Sequence, residues 1–409
     1  MESLSTTCVI SGGGPAGMML GLLLARAGVD VTVLEKHRDF LRDFRGDTVH
    51  PSTLCIMEEL GLLAEFLALP HARVAQAGVD IAGRHYAFAD LSRLPEPCNF
   101  IAMMPQWDLL DFLARKASAY PNFRLLMETE AKDLLAQNSA RSGERIAGIL
   151  AKGPSGNIQI RAGLTVSADG RHSSLRAKSG LKLKEIGAPF DVLWLRLPRL
   201  PGEPDDFAGK VAAGLMFVMI PRGDYWQCAL VIAKGGFDAM RAEGISAFRQ
   251  RLRRATGFAD GRIDDAIHDF AQVKLLTVSV NRLMEWARPG LLCIGDASHA
   301  MSPVGGVGIN LAIQDAVAAA NILAPVLRKG VPRLADLKKV QKRRELPTRM
   351  VQALQVMIQK RFLAPTIRAT RPLKPPLLLL LLLDRCAWLR QFPARFIGLG
   401  IRPERVNLH

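Results

Sequence analysis

Apolar and polar positions along this chain switch between a strand-like and a helix-like period. Residues 7–11, Thr-Cys-Val-Ile-Ser, form a short, nearly unbroken apolar run, the form taken by a strand buried on both faces. It ends in Gly12-Gly13-Gly14-Pro15-Ala16-Gly17. Residues 18–26 then form an apolar helical stretch closing on Arg26, with Gly28 as a stop. A second strand is predicted over 29–34, ending at Glu35. Strand, glycine turn, helix and strand within about 30 residues make a parallel crossover unit.

Further along, a helix is predicted to open near Pro51 and close around Gly61. Another spans about 106–119, with Leu109, Leu110, Leu113 and Ala117 on one face. Short strands separated by Gly, Asn and Ser turns are expected over 123–168. The stretch 186–233 is strand-rich, with strands at 192–197, 215–220 and 226–232, and a helix follows at 246–256. The α/β pattern returns at 290–295 and leads into a long helix over 308–327. The remainder reads as helical. The predicted division is 1–180, 181–275 (mainly β), 276–330 and 331–409 (helical).

Composition fits a globular chain: 409 residues, 49% hydrophobic and 22% charged. Lys and Arg number 54 against 38 Asp and Glu, a net of +16. The excess is local. Residues 326–409 hold 19 basic and 4 acidic residues, and the preceding 325 hold 35 and 34. No run of 18 apolar residues occurs, and the polar N-terminus lacks a secretory pattern, so a cytoplasmic protein is expected. Cys8, Cys55, Cys98, Cys228, Cys293 and Cys386 are widely spaced without a Cys-x-x-Cys pair, which predicts buried reduced thiols and no metal site. No nucleic-acid partner is expected.

The glycine run fits Gly12-x-Gly14-x-x-Gly17. The first glycine permits the tight turn, the second admits a pyrophosphate, and the third lets the helix close on the strand. Ala16 lies within this run, and the helix N-terminus offers amide donors to phosphate. Glu35 stands 18 residues after Gly17 at a strand end, placed to accept from an adenosine ribose.

Two further motifs, Ala168-Asp169-Gly170-Arg171-His172-Ser173-Ser174-Leu175-Arg176 and Gly295-Asp296-Ala297-Ser298-His299 with Pro303, Gly305, Gly306, Gly308, Ile309, Asn310 and Asp315, carry a resemblance. With the glycine run, and in this order, they are similar to those of the FAD-dependent aromatic monooxygenases, the para-hydroxybenzoate hydroxylase and ubiquinone-biosynthesis hydroxylase group. The resemblance covers about residues 6–325. It also touches the end, where Phe396-Ile397-Gly398-Leu399-Gly400-Ile401-Arg402-Pro403-Glu404 resembles a terminal segment of some relatives.

The resemblance implies a Rossmann-type α/β domain binding FAD noncovalently, an inserted mainly-β substrate domain and a C-terminal helical region. It places Asp169 near the FAD pyrophosphate and the nicotinamide approach, Asp296 on a ribityl hydroxyl, and Pro303, Gly308, Ile309 and Asn310 along the isoalloxazine. Arg45 and Gln106 match flavin-contacting positions. The implied reaction uses NADPH or NADH and O2 to insert one oxygen atom into an aromatic or lipophilic small molecule through a flavin C4a-hydroperoxide. His50, Tyr225 and Pro303 are the catalytic candidates, with no base singled out. The alternatives are a flavin-dependent reductase or dehydrogenase of an isoprenoid or quinone-like lipid, and a non-catalytic lipid-escort protein. The chain is expected to be a monomer or homodimer. Its basic, leucine-rich tail either contacts an anionic membrane surface or packs on the core.

Overall fold

The computed structural model describes residues 2–41, 48–81, 83–139, 143–203, 208–371 and 378–408. Among these, one eight-stranded sheet has a spine of five parallel strands. In spatial order they are Leu291–Cys293, Gly156–Ser167, Glu2–Ser11, Val31–Leu34 and Phe123–Leu126. Cys8, Val9 and Ile10 are fully buried, as is the strand beside them, which explains their unbroken apolar run. Helices Pro15–Arg26, Gln106–Ser118 and Gly308–Leu327 pack into the same core.

Several expected boundaries move. The first strand starts at Glu2, because residues 2–6 pair with 158–162. That pairing is about 150 residues away in sequence, so local periodicity does not report it. The second strand starts at Val31. The short strands expected over 123–168 are long ones: Glu130–Ser139, Gly143–Gly153 and Gly156–Ser167 run antiparallel, and the last then joins the parallel spine.

A second sheet has seven strands in the order Lys274–Leu276, Phe190–Pro198, Tyr225–Ala233, Leu215–Arg222, Ala208–Ala212, Gln76–Ile81 and Arg84–Asp90. Five come from the strand-rich stretch and its C-terminal edge. The other two are borrowed from the first segment, joined in parallel through Lys210 opposite Asp80 and Val211 opposite Ile81. Strand alternation gives this sheet two faces. Leu193, Leu195, Leu197, Phe217, Cys228 and Leu230 pack on helix Ile245–Thr256 through Phe248 and Leu252. Val192, Trp194, Val218 and Ala229 face the other way, and their cluster takes in Val304, Ile358 and Leu363.

The cysteine expectation is corrected. Cys55 and Cys98 form a disulfide with a Cα–Cα distance of 5.8 Å. They are 43 residues apart, and the pairing depends on helix Pro51–Glu59 lying against the loop before strand Ile101–Met103. Cys8, Cys228 and Cys293 are buried free thiols, and burial pushes the Cys293 thiol up to about 12. Among the described residues no cluster of His, Cys, Asp and Glu is arranged to hold a metal.

The C-terminal region is helical as expected, with Leu334–Ile358 its longest element. Its last residues return to the core. Val406 N–H donates to Glu59 Oε2 at 2.7 Å, and Asn321 Nδ2 donates to the Arg405 carbonyl at 2.8 Å. Residues 304–327 are long and apolar enough to cross a membrane, but 72% of the most apolar window there is buried inside the protein.

Candidate active site

Four adjacent parallel strands deliver the motif residues at their carboxyl ends, where open α/β sheets bind ligands. Gly295 follows Leu291–Cys293, Asp169 follows Gly156–Ser167, Gly12 follows Glu2–Ser11, and Glu35 follows Val31–Leu34. Backbone bonds hold these exits together. Gly12 N–H donates to Leu34 at 2.8 Å, Ala168 N–H to Ser11 at 2.8 Å, and Ile294 N–H to Ser167 at 3.0 Å.

The three glycines have different surroundings. Gly12 has φ +108°, and a Cβ there would sit 2.4 Å from the Ala168 carbonyl oxygen. A Cβ on Gly17 would sit 1.9 Å from the Gly12 oxygen. Gly14 instead faces open space, with nothing within 4 Å. This is the arrangement a pyrophosphate needs, with two glycines closing the turn and one leaving the approach clear. Ala16 is buried in the first helical turn. Glu35 is buried, and its Oε2 accepts from Gly13 N–H at 3.1 Å while Oε1 accepts from His37 N–H at 3.1 Å.

Asp169 is held by its own motif. Its Oδ1 accepts from Ser167 Oγ at 2.5 Å and Ser173 Oγ at 2.6 Å. Arg176 joins the two acidic motifs, donating to the Ala297 carbonyl at 3.1 Å and the Arg171 carbonyl at 2.7 Å. Arg171 in turn lies 3.8 Å from Asp296, which keeps one-third of its side chain exposed. Sequence reading quoted Arg171 and Arg176 without assigning them this bridging position.

The turn Val304–Gly306 leads into helix Gly308–Leu327. Pro303 caps it, and Gly306 approaches Thr48, whose Oγ1 donates to the Gly306 carbonyl at 2.8 Å. Thr48 pairs with Met103, at the end of the strand leading to Gln106, the half-buried first residue of helix Gln106–Ser118. Gly308 is open around its Cα, and Ile309 is buried. Asn310 Oδ1 accepts from His50 N–H at 3.0 Å and Thr53 Oγ1 at 2.7 Å. Its Nδ2 is buried and has no hydrogen-bond partner among the described residues. A buried donor left this way, in the first turn of a helix, suits a ligand acceptor. The set fits FAD: an open phosphate turn, an acid at the ribose position, and an orphan donor where the isoalloxazine is expected.

Arg45 lies outside the described residues. Tyr225 is not brought to these motifs. It begins its strand with the Arg196 guanidinium 4.9 Å over its ring, on the same face as Ala229 and about 13 Å along the strand from it, Ala229 being one buried member of the cluster that includes Val304. His50 is brought in. It is fully buried, its ring Nδ1 lies 2.8 Å from the Ile397 carbonyl, and its Nε2 has no partner among the described residues. A carbonyl can only accept, so Nδ1 carries the proton and Nε2 presents a lone pair.

Burial lowers the His50 pKa to about 4, with the Ile397 bond acting weakly the other way. In the unfolded chain the imidazole takes up its proton nearer 6.5. The unfolded state therefore binds more protons between those values, and stability is lost as pH falls from about 6.5 to 4. The full effect is about 3 kcal/mol, at 1.36 kcal/mol per unit. His50→Gln should flatten the decline in melting temperature over this range. A decline as steep as that of the unmodified protein would remove His50 as its cause.

Sequence reading also missed a buried ionic chain. His299 Nε2 donates to Asp315 Oδ2 at 2.6 Å, and Gly295 N–H donates to the same oxygen at 3.1 Å. Arg344 Nε donates to Asp315 Oδ1 at 3.0 Å, and its Nη1 reaches Glu404 at 3.4 Å. Burial opposes the charge on Asp315, but His299 and Arg344 outweigh it and hold the carboxyl below its ordinary range.

Two surface hollows, of about 340 Å³ beside Arg199–Gly202 and about 480 Å³ beside Glu2, Leu4 and Arg124–Met127, contain none of these motif residues. The strand-end geometry therefore defines the site better than hollow size does.

Comparison with known proteins agrees with this geometry. The model of the FAD binding domain family matches residues 5–353. The 6-methylpretetramide 4-monooxygenase of Streptomyces rimosus is 32% identical over 369 residues, 90% of this chain and 86% of that protein. This chain belongs to the FAD-dependent aromatic monooxygenase family. It is a flavoprotein oxidoreductase of the group A monooxygenase type, and its cofactor is FAD. A rifampicin monooxygenase of Streptomyces venezuelae is 28% identical over 320 residues, covering 75% of this family member and 62% of that protein's length. The p-nitrophenol 4-monooxygenase PnpA of Pseudomonas putida DLL-E4 has the same fold, with a TM-score of 0.76 at 18% identity, covering 98% of this chain and all of that one.

Proposed function

We propose that this protein uses NADPH or NADH and O2 to insert one oxygen atom into an aromatic, largely apolar small molecule. The observation that supports this best is the inner face of the seven-stranded sheet. Val192, Trp194, Val218 and Ala229 form an apolar wall whose cluster includes Val304, in the turn directly before helix Gly308–Leu327. An apolar substrate against that wall lies next to the segment whose residues match the isoalloxazine-lining motif.

Gly12, Gly14, Ala16 and Gly17 would hold the FAD pyrophosphate. Glu35 would hold the ribose, and Asp296 a ribityl hydroxyl beside Arg171. Asp169 would shape the pyrophosphate region, with Ser167 and Ser173 fixing its carboxylate. Gln106, Gly295, Pro303, Gly308, Ile309 and Asn310 would line the flavin, with Asn310 Nδ2 donating to it. Bound FAD supplies the transfer of electrons from the nicotinamide cofactor to oxygen. The protein's own contribution is to orient, to exclude water and to place protons. His50, neutral at pH 7 with its Nε2 lone pair bare, is suited to accept a hydrogen bond inside the site. Its depressed pKa makes it a weak base.

Incubation with labelled oxygen gas and a set of phenolic and polyketide-like aromatics tests this reading. At least one substrate that stimulates NADPH or NADH oxidation should yield a product heavier by one labelled oxygen atom. Stimulated oxidation with unlabelled, reduced products would favour the lipid reductase, the alternative within the same fold.

A further inference from the structure

The helix Leu334–Ile358 buries polar and apolar residues together. Beside Leu337, Val340, Pro347 and Val351, its inward side carries Arg344, Thr348, Gln352 and Gln355, at most 3% exposed, and Gln359 in the following turn is buried as well. These side chains have specific work. Gln352 Nε2 donates to the carbonyls of Asn281 at 2.9 Å and Ala300 at 3.1 Å. Gln355 Nε2 donates to those of Ser302 at 2.9 Å and Val304 at 2.8 Å. Gln352 and Gln355 therefore hold the segment around Pro303 and cannot turn outward without leaving buried groups unpaired.

The second half of the helix carries an apolar stripe outward, among exposed basic residues. Leu346, Met350, Ala353 and Met357 follow one another at spacings of four, three and four residues, which places them on one stripe. Leu346, Met350 and Met357 are 43%, 46% and 49% exposed, and Phe362, just past the helix end, is 43% exposed. A surface helix ordinarily turns its large apolar residues inward. A continuous outward apolar stripe marks an interaction surface.

Charge selects the occupant. Exposed Lys342, Arg349, Lys360 and Arg361 accompany the stripe, whereas Asp336 and Glu345 are the acidic residues of the whole helix. The stripe lies in the 326–409 region, with its 19 basic and 4 acidic residues. A second copy docked here would bring two strongly positive faces together. An anionic surface would neutralise them. The C-terminal segment exposes further apolar residues of the same basic region, Leu378, Leu382, Trp388 and Phe392.

We propose that the outward stripe of helix Leu334–Ile358 is a docking surface for anionic lipid. Leu346, Met350, Met357 and Phe362 enter the acyl boundary, and Lys342, Lys360 and Arg361 meet the headgroups. This is the chemistry of an interfacial helix, with apolar area and basic flanks. The Gln352–Gln355 ladder then ties the lipid-facing helix to the turn at Pro303. The inference goes beyond the monooxygenase reading and does not depend on it.

The test is co-sedimentation of full-length, FAD-loaded protein with phosphatidylcholine vesicles, with and without phosphatidylserine, at low and high salt. Binding should require phosphatidylserine and weaken with salt. The double variant Met350→Glu, Met357→Glu should bind at least about tenfold more weakly, with unchanged flavin absorbance and near-UV circular dichroism. Should that variant misfold, Lys342→Glu with Lys360→Glu serves instead, with loss of the phosphatidylserine preference expected. Protein remaining in the supernatant at low salt, or folded variants that pellet like the parent, overturns the proposal. Concentration-dependent dimerisation abolished by Met350→Glu and Met357→Glu, without lipid binding, also overturns it and assigns the stripe to a second copy.

Discussion

Arg344→Met should destabilise the FAD-loaded protein by about 3–5 kcal/mol, the usual cost of removing one partner of a buried ion pair. Arg344 is 1% exposed and Asp315 is fully buried. Without the guanidinium, Asp315 keeps a desolvated charge with the His299 ring as its remaining side-chain hydrogen-bond partner, and Glu404 loses its buried partner. The damage should reach the site, because Asp315 also accepts from Gly295 N–H and so fixes the turn that carries Asp296. Urea unfolding followed by tryptophan fluorescence measures the loss. Arg343→Met is the control: Arg343 pairs with the same Glu404, but its side chain is 49% exposed, so about 1 kcal/mol or less is expected. Equal losses in the two variants would show that burial of the pair is not what stabilises this corner. The pH response has a definite sign. Asp315 has a depressed pKa, so its contribution is present above the unfolded carboxylate value near 3.9 and is lost as pH falls through the lower folded value.

The second large effect separates two glycines of one motif. Gly17→Ala would put a methyl carbon 1.9 Å from the Gly12 carbonyl oxygen, inside the turn itself, so the expected outcome is misfolded or insoluble protein. Gly14→Ala places its methyl in open space on the ligand side. That variant should fold with a near-parental melting temperature in the absence of FAD. Its affinity for FAD should fall at least about tenfold, or about 1.4 kcal/mol. Flavin fluorescence titration and a melt without cofactor read the two effects separately. A Gly14→Ala protein that retains FAD like the parent would mean the pyrophosphate does not approach at Gly14.

The site was legible where chemistry is carried by contiguous residues. The glycine run, Asp169-Gly170 and Gly295-Asp296 each combine a strand end, a tight turn and a helix start within a few positions. Their order along the chain was enough to identify the family. Helix Gly308–Leu327 was readable to the residue, because glycines precede it and its apolar positions are dense. The pairing of Arg344 with Asp315 and Glu404 was not legible. Nothing within ten residues of Arg344 distinguishes it from the exposed basic residues around it, and its partner Asp315 is 29 residues away on another helix. Tyr225 was a candidate as the tyrosine of the strand-rich stretch, and the structure sets it at the start of its strand with the Arg196 guanidinium over its ring.

Local sequence by itself determined the parallel crossover, the cofactor class and the concentration of positive charge in the last fifth of the chain. These depend on spacing, backbone freedom at glycine and composition, all of which are properties of short segments. Tertiary structure alone decided three other features. Cys55 meets Cys98, two strands near residue 80 complete the seven-stranded sheet, and helix Leu334–Ile358 turns Gln352 and Gln355 inward and Met350 and Met357 outward. Each depends on which distant surface a segment packs against. Helix Leu334–Ile358 buries Gln352 and Gln355 beside Leu337, Val340 and Val351 because the backbone carbonyls of Asn281, Ala300, Ser302 and Val304 accept from those two glutamines.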